Sequence, residues 1–117
     1  MSPTTAIVIV HHEIKEWPEF FESVWDGTRA HEIRRDDRRV PYAPGHTVKI
    51  SEYLPGRKEH TGRWVRGVIT HVTHGGRVGS NVDLPFSVVV FTFREHGRGG
   101  PSPAEDTSIT PAEKGRA

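Results

Sequence analysis

One segment of this chain has the spacing of an amphipathic helix, and it limits the folds that the chain can adopt. Its apolar residues form one stripe at helical spacing: Trp17, Phe20, Phe21, Val24 and, widening it, Trp25. Pro18 suits the first helical turn, where its missing N–H costs nothing, and Gly27 suits the stop because glycine accepts a left-handed conformation. We therefore expect one main helix, with Trp17 as a core residue on its stripe.

The other apolar segments have the pattern of β-strands. Residues 6–10 are a β-branched block that predicts a central strand covered on both faces, and Val48 and Ile50 alternate with polar residues. Further strands are predicted over residues 30–34, 47–54, 64–72 and 86–93. The glycine-rich residues 74–84 are predicted as a loop between the last two. Five strands and one helix favour an α+β, mainly β fold, built as a small closed or partly open barrel.

The length of 117 residues fits one compact domain. From about Glu95 onward the sequence turns to Gly, Pro, Ser, Glu and Lys, with Ile109 as its one large apolar residue. Such a segment has too little to bury to offset the entropy of ordering. We therefore predict a domain over residues 1–94 and a disordered tail over residues 95–117.

Charge and composition exclude several classes of protein. The net charge is +1, from 16 Lys and Arg against 15 Asp and Glu, which argues against a polybasic nucleic-acid binder. Cysteine is absent, so disulfides and thiolate metal sites are excluded. The longest apolar run is too short to cross a bilayer, and no signal peptide is recognisable. These features predict a cytoplasmic protein with no membrane partner.

The strand after the helix carries the main candidate site. Strand period places Glu32 and Arg34 on one face and His31 and Ile33 on the other, with Ile33 expected in the core. A carboxylate beside a guanidinium can read a base edge and hold a phosphate or sugar. The alternative is a surface ion pair, worth about 0–1 kcal/mol and without function.

Three further residues are candidate ligand contacts. Lys15 stands just before the helix and either contacts an anionic group or is simply solvated, and Arg29 is expected at the rim of the site. Tyr53 has a ring that can stack on a base.

The sequence predicts no metal or other cofactor. His11 and His12 point to opposite faces of a strand, and the His71/His74 pair has no carboxylate nearby to complete a metal site. The glycines of residues 75–79 precede a strand, so they lack the helix N-terminus of a phosphate cradle and predict a hairpin or lid.

Several short motifs resemble a known superfamily. Residues 27–34 (GTRAHEIR) are similar to the ASCH signature, in which Gly, a basic residue, Glu and Arg recur at this spacing. Residues 12–21 (HEIKEWPEFF) resemble a small ASCH-like family of unknown function found in bacteria and phages. Its further motifs occur here in the same order: Glu32-Ile33-Arg34, Asp37-Arg38, Glu52-Tyr53 and Thr61-Gly62-Arg63.

The resemblance implies a PUA-like barrel with a cleft between the helix and the barrel, and a link to RNA metabolism. One branch of the superfamily hydrolyses acetylcytidine with a Lys, a Thr and a Glu. Here Arg29 matches the Lys position and Glu32 the Thr position, and an arginine cannot act as a lysine-type base. That activity is therefore not carried over. The chain also has Gly45-His46 where the family usually has Gly-Asp.

Three functions follow, in order of preference. The first is a module that binds RNA or a modified nucleotide in a polar cleft formed with Lys15, Arg29, Glu32, Arg34 and Tyr53. The second is a nucleotide- or RNA-acting hydrolase or nuclease in which Glu32 is the acid or base. The third is a phage product that binds a host protein. The sequence leaves open the identity of the ligand and the oligomeric state.

Overall fold

The computed structural model describes residues 8–101 of the chain. Its elements follow in the order β1 (His11–Glu16), α1 (Pro18–Trp25), β2 (His31–Arg35), β3 (Thr47–Leu54), β4 (Glu59–Gly79) and β5 (Val82–Gly99). The prediction of a mainly β, α+β fold with one main helix is confirmed. The predicted bounds of β3 are those observed, and those of β2 differ by one residue.

The five strands form one curled sheet in the order β1-β3-β4-β5-β2. β1 runs parallel to β3, and every other pair is antiparallel. The curl makes a half-barrel with β1 and β2 as its edges, and among residues 8–101 no strand ladder joins them. The gap between these two edge strands, which we call the seam, is bridged by arginine side chains. Arg34 Nη2 donates to the carbonyl of Lys15 at 3.1 Å, and Arg38 Nη2 donates to the carbonyl of Glu13 at 2.7 Å.

The core lies inside the curl, where alternate residues of each strand point inward. Its buried hydrophobic residues are Ile14, Phe21, Val24, Tyr42, Val48, Ile50, Val65, Ile69, Val89, Phe91 and Phe93. Three inward positions carry carboxylates: Glu16, Glu32 and Glu52. A buried charge needs partners, so these three positions indicate where the inside of the half-barrel is built for polar contacts.

The helix begins and ends as the sequence predicts, with Pro18 in its first turn and Gly27 just beyond it at φ +85°. It lies against β3 and β4 through Phe21 and Val24, its two buried residues. The prediction that Trp17 is a core residue is wrong, because it is 49% exposed. A helix of eight residues has little more than two turns and cannot bury so wide a stripe.

Both predicted ends of the fold need correction. Val8 and Ile9 are exposed and precede the first strand, so the described part of residues 6–10 is not a covered central strand. β1 starts at His11, where its partner β3 starts with Thr47. β5 continues to Gly99, past the predicted boundary at residue 94, since the long β4 still offers it a partner. Residues 1–7 and 102–117, including most of the predicted tail, lie outside the described residues.

The glycine-rich residues 74–84 are not a loop. They form the end of the β4–β5 hairpin, which turns at Asn81 with φ +61°. Gly75 is required there, because a Cβ atom at this position would collide with the carbonyl oxygen of Pro85 on the facing strand. The hairpin part of the prediction for residues 75–79 is therefore confirmed.

Candidate functional site

Two carboxyl groups meet at the seam of the half-barrel. Glu16 is the last residue of β1 and Glu32 the second of β2, and the curl brings these edge strands to face each other. Both side chains point inward: Glu32 has no exposed surface and Glu16 is 9% exposed. Strand alternation places Glu32 and Ile33 on opposite faces, the fold turns the Glu32 face inward, and it supplies a second carboxylate, Glu16, that sequence reasoning missed.

Two arginines flank this pair and complete what we call the Glu/Arg cluster: Glu16, Glu32, Arg29 and Arg34. Glu32 lies between them, with Oε2 3.2 Å from Arg29 Nη1 and Oε1 3.3 Å from Arg34 Nη1. The contacts of Glu16 are longer, at 3.6 Å to Arg29 and 3.9 Å to Arg34. The two guanidinium groups therefore lie closer to the carboxyl group of Glu32 than to that of Glu16.

Burial raises the pKa of Glu32, the hydrogen bond and the negative charge of Glu16 add to this rise, and the pKa reaches about 8. The charges of Arg29 and Arg34 oppose this shift without cancelling it. Like charges this close cannot both ionise cheaply, so the pair holds one proton near neutral pH. Glu32 then donates a hydrogen bond, and Glu16 is the acceptor.

Arg29 is tied to the protein through all three nitrogens of its guanidinium group. Nε donates to Ser23 Oγ at 2.9 Å, Nη1 to the carbonyl of His31 at 2.5 Å, and Nη2 to the carbonyl of Phe20 at 2.6 Å. These bonds link α1 to the start of β2. The geometry therefore gives Arg29 a structural task, with its donors directed at the chain itself.

A cleft of about 360 Å³ opens beside the cluster, between α1 and β2. It is lined by Glu16, Phe20, Arg29, His31 and Ile33. Glu16 Oε1 is buried and accepts no hydrogen bond from residues 8–101. Ile33 and Phe20 are 63% and 51% exposed and form apolar walls. The prediction that Ile33 packs in the core is wrong, because the inward face of β2 is the one that carries Glu32.

Lys15 and Tyr53 belong to the opposite face of the sheet. Lys15 is exposed and alternates with the buried Ile14 and Glu16, and its Nζ lies 4.4 Å from the centre of the Tyr53 ring. The carbonyl of Lys15, by contrast, takes part in the seam as an acceptor for Arg34. The five predicted ligand residues therefore divide: Arg29, Glu32 and Arg34 meet in the cluster, and the other two side chains lie outside.

A second polar cluster explains two of the sequence motifs. The buried Glu52 accepts from Thr61 Oγ1 at 2.7 Å and from Arg63 Nε at 2.9 Å. Arg63 also reaches Glu22 on α1 at 3.2 Å and lies 4.8 Å from the ring of Trp25. Burial acts to raise the pKa of Glu52, and the hydrogen bonds from Arg63 and Thr61 outweigh it and hold that pKa low. These residues fasten the helix to the sheet.

The histidines are arranged in pairs. His12 is buried, and its Nε2 lies 3.0 Å from His46 Nδ1, which gives the unusual Gly45-His46 turn a partner. Burial and the nearby charge of Arg38 lower the pKa of His12 to about 4. Over residues 8–101, no three His, Asp or Glu side chains are grouped so that they could hold a metal ion.

The fold and site define a small half-barrel domain with a buried, proton-sharing carboxyl pair beside an aromatic-walled cleft. Residues 11–85 match the model of the family described as domain of unknown function DUF3850, and the chain belongs to this family. The matched segment contains every residue of the cleft and of both polar clusters. No curated protein matches the chain. Within the described residues, no helix is long and apolar enough to span a membrane.

Proposed function

We propose that the protein binds a nucleobase, carried by RNA or by a free or modified nucleotide, in the cleft between α1 and β2. The observation that carries this proposal is Glu16 Oε1, a buried oxygen beside the cleft that accepts no hydrogen bond from a nitrogen donor of residues 8–101, since Arg29 Nη2 stays 3.6 Å away. A buried polar atom without a partner costs about 1–3 kcal/mol. A ligand N–H placed against this oxygen removes that cost.

A nucleobase is chemically complementary to the residues that line the cleft. It offers N–H donors at its edge, and carboxylates accept from the exocyclic amino group of cytosine. Its flat faces stack on aromatic side chains, and Phe20 is a half-exposed wall of the cleft. The ring of Trp17 lies outside the cleft lining, 6.3 Å from that of Phe20. Because the donors of Arg29 bind the chain itself, we expect the sugar and phosphate to stay outside the cleft.

The resemblance to the ASCH superfamily supports the same ligand class, since relatives there are linked to RNA metabolism. A cytoplasmic location belongs to this proposal, because RNA and free nucleotides are both present there. The acceptor Glu16 Oε1 narrows the expected ligand class. Nucleosides with an amino group, such as cytidine, adenosine and guanosine, are expected to bind more tightly than uridine.

Calorimetric titration with the four nucleosides tests the proposal. Glu16→Gln keeps the shape of the acceptor and removes its charge, so affinity for cytidine should fall about tenfold, since a hydrogen bond to a charged group contributes about 1.5–3 kcal/mol. Phe20→Ala should also weaken binding. Glu59→Gln and Phe86→Ala are the matched controls, because both residues are exposed and lie outside the cleft. The absence of a saturable signal with any nucleoside at millimolar concentration would contradict the proposal.

A hydrolase or nuclease is the second candidate, and the raised pKa of Glu32 favours it. A carboxyl group that keeps its proton near pH 7 suits a general acid. Glu32 has no exposed surface, so its proton has to pass through Glu16, which lines the cleft. Glu32→Gln should then abolish product while the ligand still binds. A pure binder gives no product from nucleotides or RNA at any concentration of the wild-type protein.

A protein partner would bind a different surface, at the end of the β4–β5 hairpin. Phe86 is 85% exposed there and Val82 is 52% exposed. If neither nucleosides nor RNA bind, a host protein becomes the preferred ligand class.

A further inference from the structure

The outer face of the sheet carries a second set of residues with binding chemistry. Three cations lie over aromatic rings on neighbouring strands: Lys15 over Tyr53 at 4.4 Å, Lys49 over Trp64 at 5.3 Å, and Arg66 over Trp64 at 5.1 Å. We call these five residues the cation–aromatic face. They come from β1, β3 and β4, so they extend over two strand spacings, about 10 Å.

Two positive charges of this face repel each other. Lys49 and Arg66 are direct cross-strand partners, and like charges in that position are destabilising. Glu13, the acidic partner of Lys49 on β1, binds His11 at 2.8 Å through its carboxylate. Arg66 Nε is buried and finds no acceptor among residues 8–101. Arg34 and Arg63, by contrast, are paired with the buried carboxylates of Glu32 and Glu52.

Trp64 is held on this face by the backbone of β5. A Cβ atom at Gly99 would lie 2.5 Å from Trp64 Cζ2, so the ring rests against the strand where a side chain is missing. A hollow of about 260 Å³ beside it is lined by Lys49, Ser51, His60 and Trp64 together with Glu13, Gly62 and Arg63. The face thus has positive charge, a fixed aromatic ring and a concave surface.

We infer that the cation–aromatic face binds single-stranded nucleic acid, independently of the nucleobase cleft. Proteins that hold single strands combine cations that follow the phosphates with aromatic rings on which bases stack. Lys49 and Arg66 would bind successive phosphates, which relieves their mutual repulsion, and Trp64 would stack one base. Single strands can bind this face whether or not a base occupies the cleft, so the two sites are tested independently.

Fluorescence anisotropy with labelled single-stranded dodecamers, U12 and dT12, tests this inference in the full-length protein. Three cations predict a slope of log Kd against log salt of about 2, at roughly 0.7 per phosphate contact. The double variant Lys49→Gln/Arg66→Gln should lose about tenfold in affinity and about two thirds of that slope. Because the relief of the like-charge pair offsets the loss of two cation–aromatic contacts, its melting temperature should stay close to that of the wild type.

Arg77→Gln is the matched control. It removes the same kind of charge from β4, eleven residues beyond Arg66 and about 35 Å away along the strand, where Arg77 pairs with Asp83 at 2.5 Å. Dodecamer binding by this variant should remain unchanged. If the double variant binds as tightly as the wild type, or if Arg77→Gln loses as much, the inference is overturned.

Trp64→Leu separates nucleic acid from other polyanions. It should weaken dodecamer binding about fivefold and leave binding of inorganic polyphosphate, which has no bases, unaffected. Equal loss for both ligands, or no loss for either, would overturn the assignment of nucleic acid. Comparison of U12 with dT12 shows whether RNA or DNA is preferred, and the nucleoside titrations report on the cleft separately.

Discussion

Arg63 holds the carboxylate of Glu52 by two hydrogen bonds of 2.9 Å, from Nε to Oε1 and from Nη2 to Oε2. This two-pronged contact joins β4 to β3, and Arg63 continues to Glu22 and over the ring of Trp25 on α1. The helix forms one wall of the cleft between α1 and β2 through Phe20. The position of that wall therefore depends on an ion pair outside the cleft.

Arg63→Met is expected to lower the free energy of unfolding by about 3–5 kcal/mol, because it leaves the buried carboxylate of Glu52 without its charged partner. Urea unfolding followed by circular dichroism measures the change. The double variant Glu52→Leu/Arg63→Met should recover much of the loss, since an apolar pair carries no uncompensated charge.

The exposed pair Arg77–Asp83 gives the comparison for that experiment. Both side chains are 66% exposed, and Arg77→Ala should change the free energy of unfolding by less than about 1 kcal/mol. Similar losses for Arg63→Met and Arg77→Ala would show that Glu52 is not buried as described.

A second prediction concerns Glu32 and alkaline conditions. Its pKa is about 8 in the folded protein and near 4.5 in the unfolded chain, so the folded state binds an extra proton between these pH values. Stability contributed by this proton is therefore present below pH 4.5 and is lost as the pH rises through 8. Glu32→Gln cannot titrate, so the stability of the wild type relative to this variant should fall by about 4 kcal/mol from pH 5 to pH 8.5.

Urea unfolding at several pH values measures this difference, with Glu59→Gln as the exposed control. The control should follow the wild type throughout. A stability difference between the wild type and Glu32→Gln that does not change with pH would mean that Glu16 and Glu32 do not share a proton.

His12 gives a third prediction, with the opposite sign. Its pKa of about 4 in the folded protein lies below the unfolded value of 6.5, so the unfolded chain binds the proton first. Stability is present above pH 6.5 and is lost as the pH falls through 4, by roughly 3 kcal/mol at about 1.4 kcal/mol per pH unit. His12→Gln should remove this acid-side loss, whereas the exposed His96→Gln should retain it. Identical acid-side curves for both variants would contradict the burial of His12.

Local patterns predict the helix and the strands β2 and β3 of this chain to within a residue or two, whereas they miss the extent of β1, β4 and β5. The bounds of β3 follow from the alternation of Val48 and Ile50, and the ends of α1 follow from Pro18 and Gly27. Strand period also places Glu32 and Arg34 together, as observed. It does not reveal which face of β2 is buried, because the inward position of Glu32 depends on Arg29 and on the distant Glu16.

The site shows the same division between local and long-range information. Glu16 was missed because β1 and β2 meet only after the sheet has curled, and no sequence spacing encodes that approach. The outward direction of Lys15 was available from the sequence, since it alternates with Ile14. The motif residues Glu52 and Arg63 were recognised, but their role as a helix fastening needed the packing of α1 on β4.

The last prediction tests the end of β5, where the sequence places a disordered tail and the structure places a paired strand. Gly99 faces Trp64 in the β4–β5 ladder, and an added Cβ would lie 2.5 Å from the indole ring. Gly99→Ala should displace that ring and lower the free energy of unfolding by about 1–3 kcal/mol. Gly56→Ala is the matched control, because nothing lies within 4 Å of its added Cβ and the substitution should be nearly neutral. Thermal unfolding followed by tryptophan fluorescence measures both variants. If residues 95–99 lay outside the fold, as the sequence suggests, the two substitutions would have equally small effects.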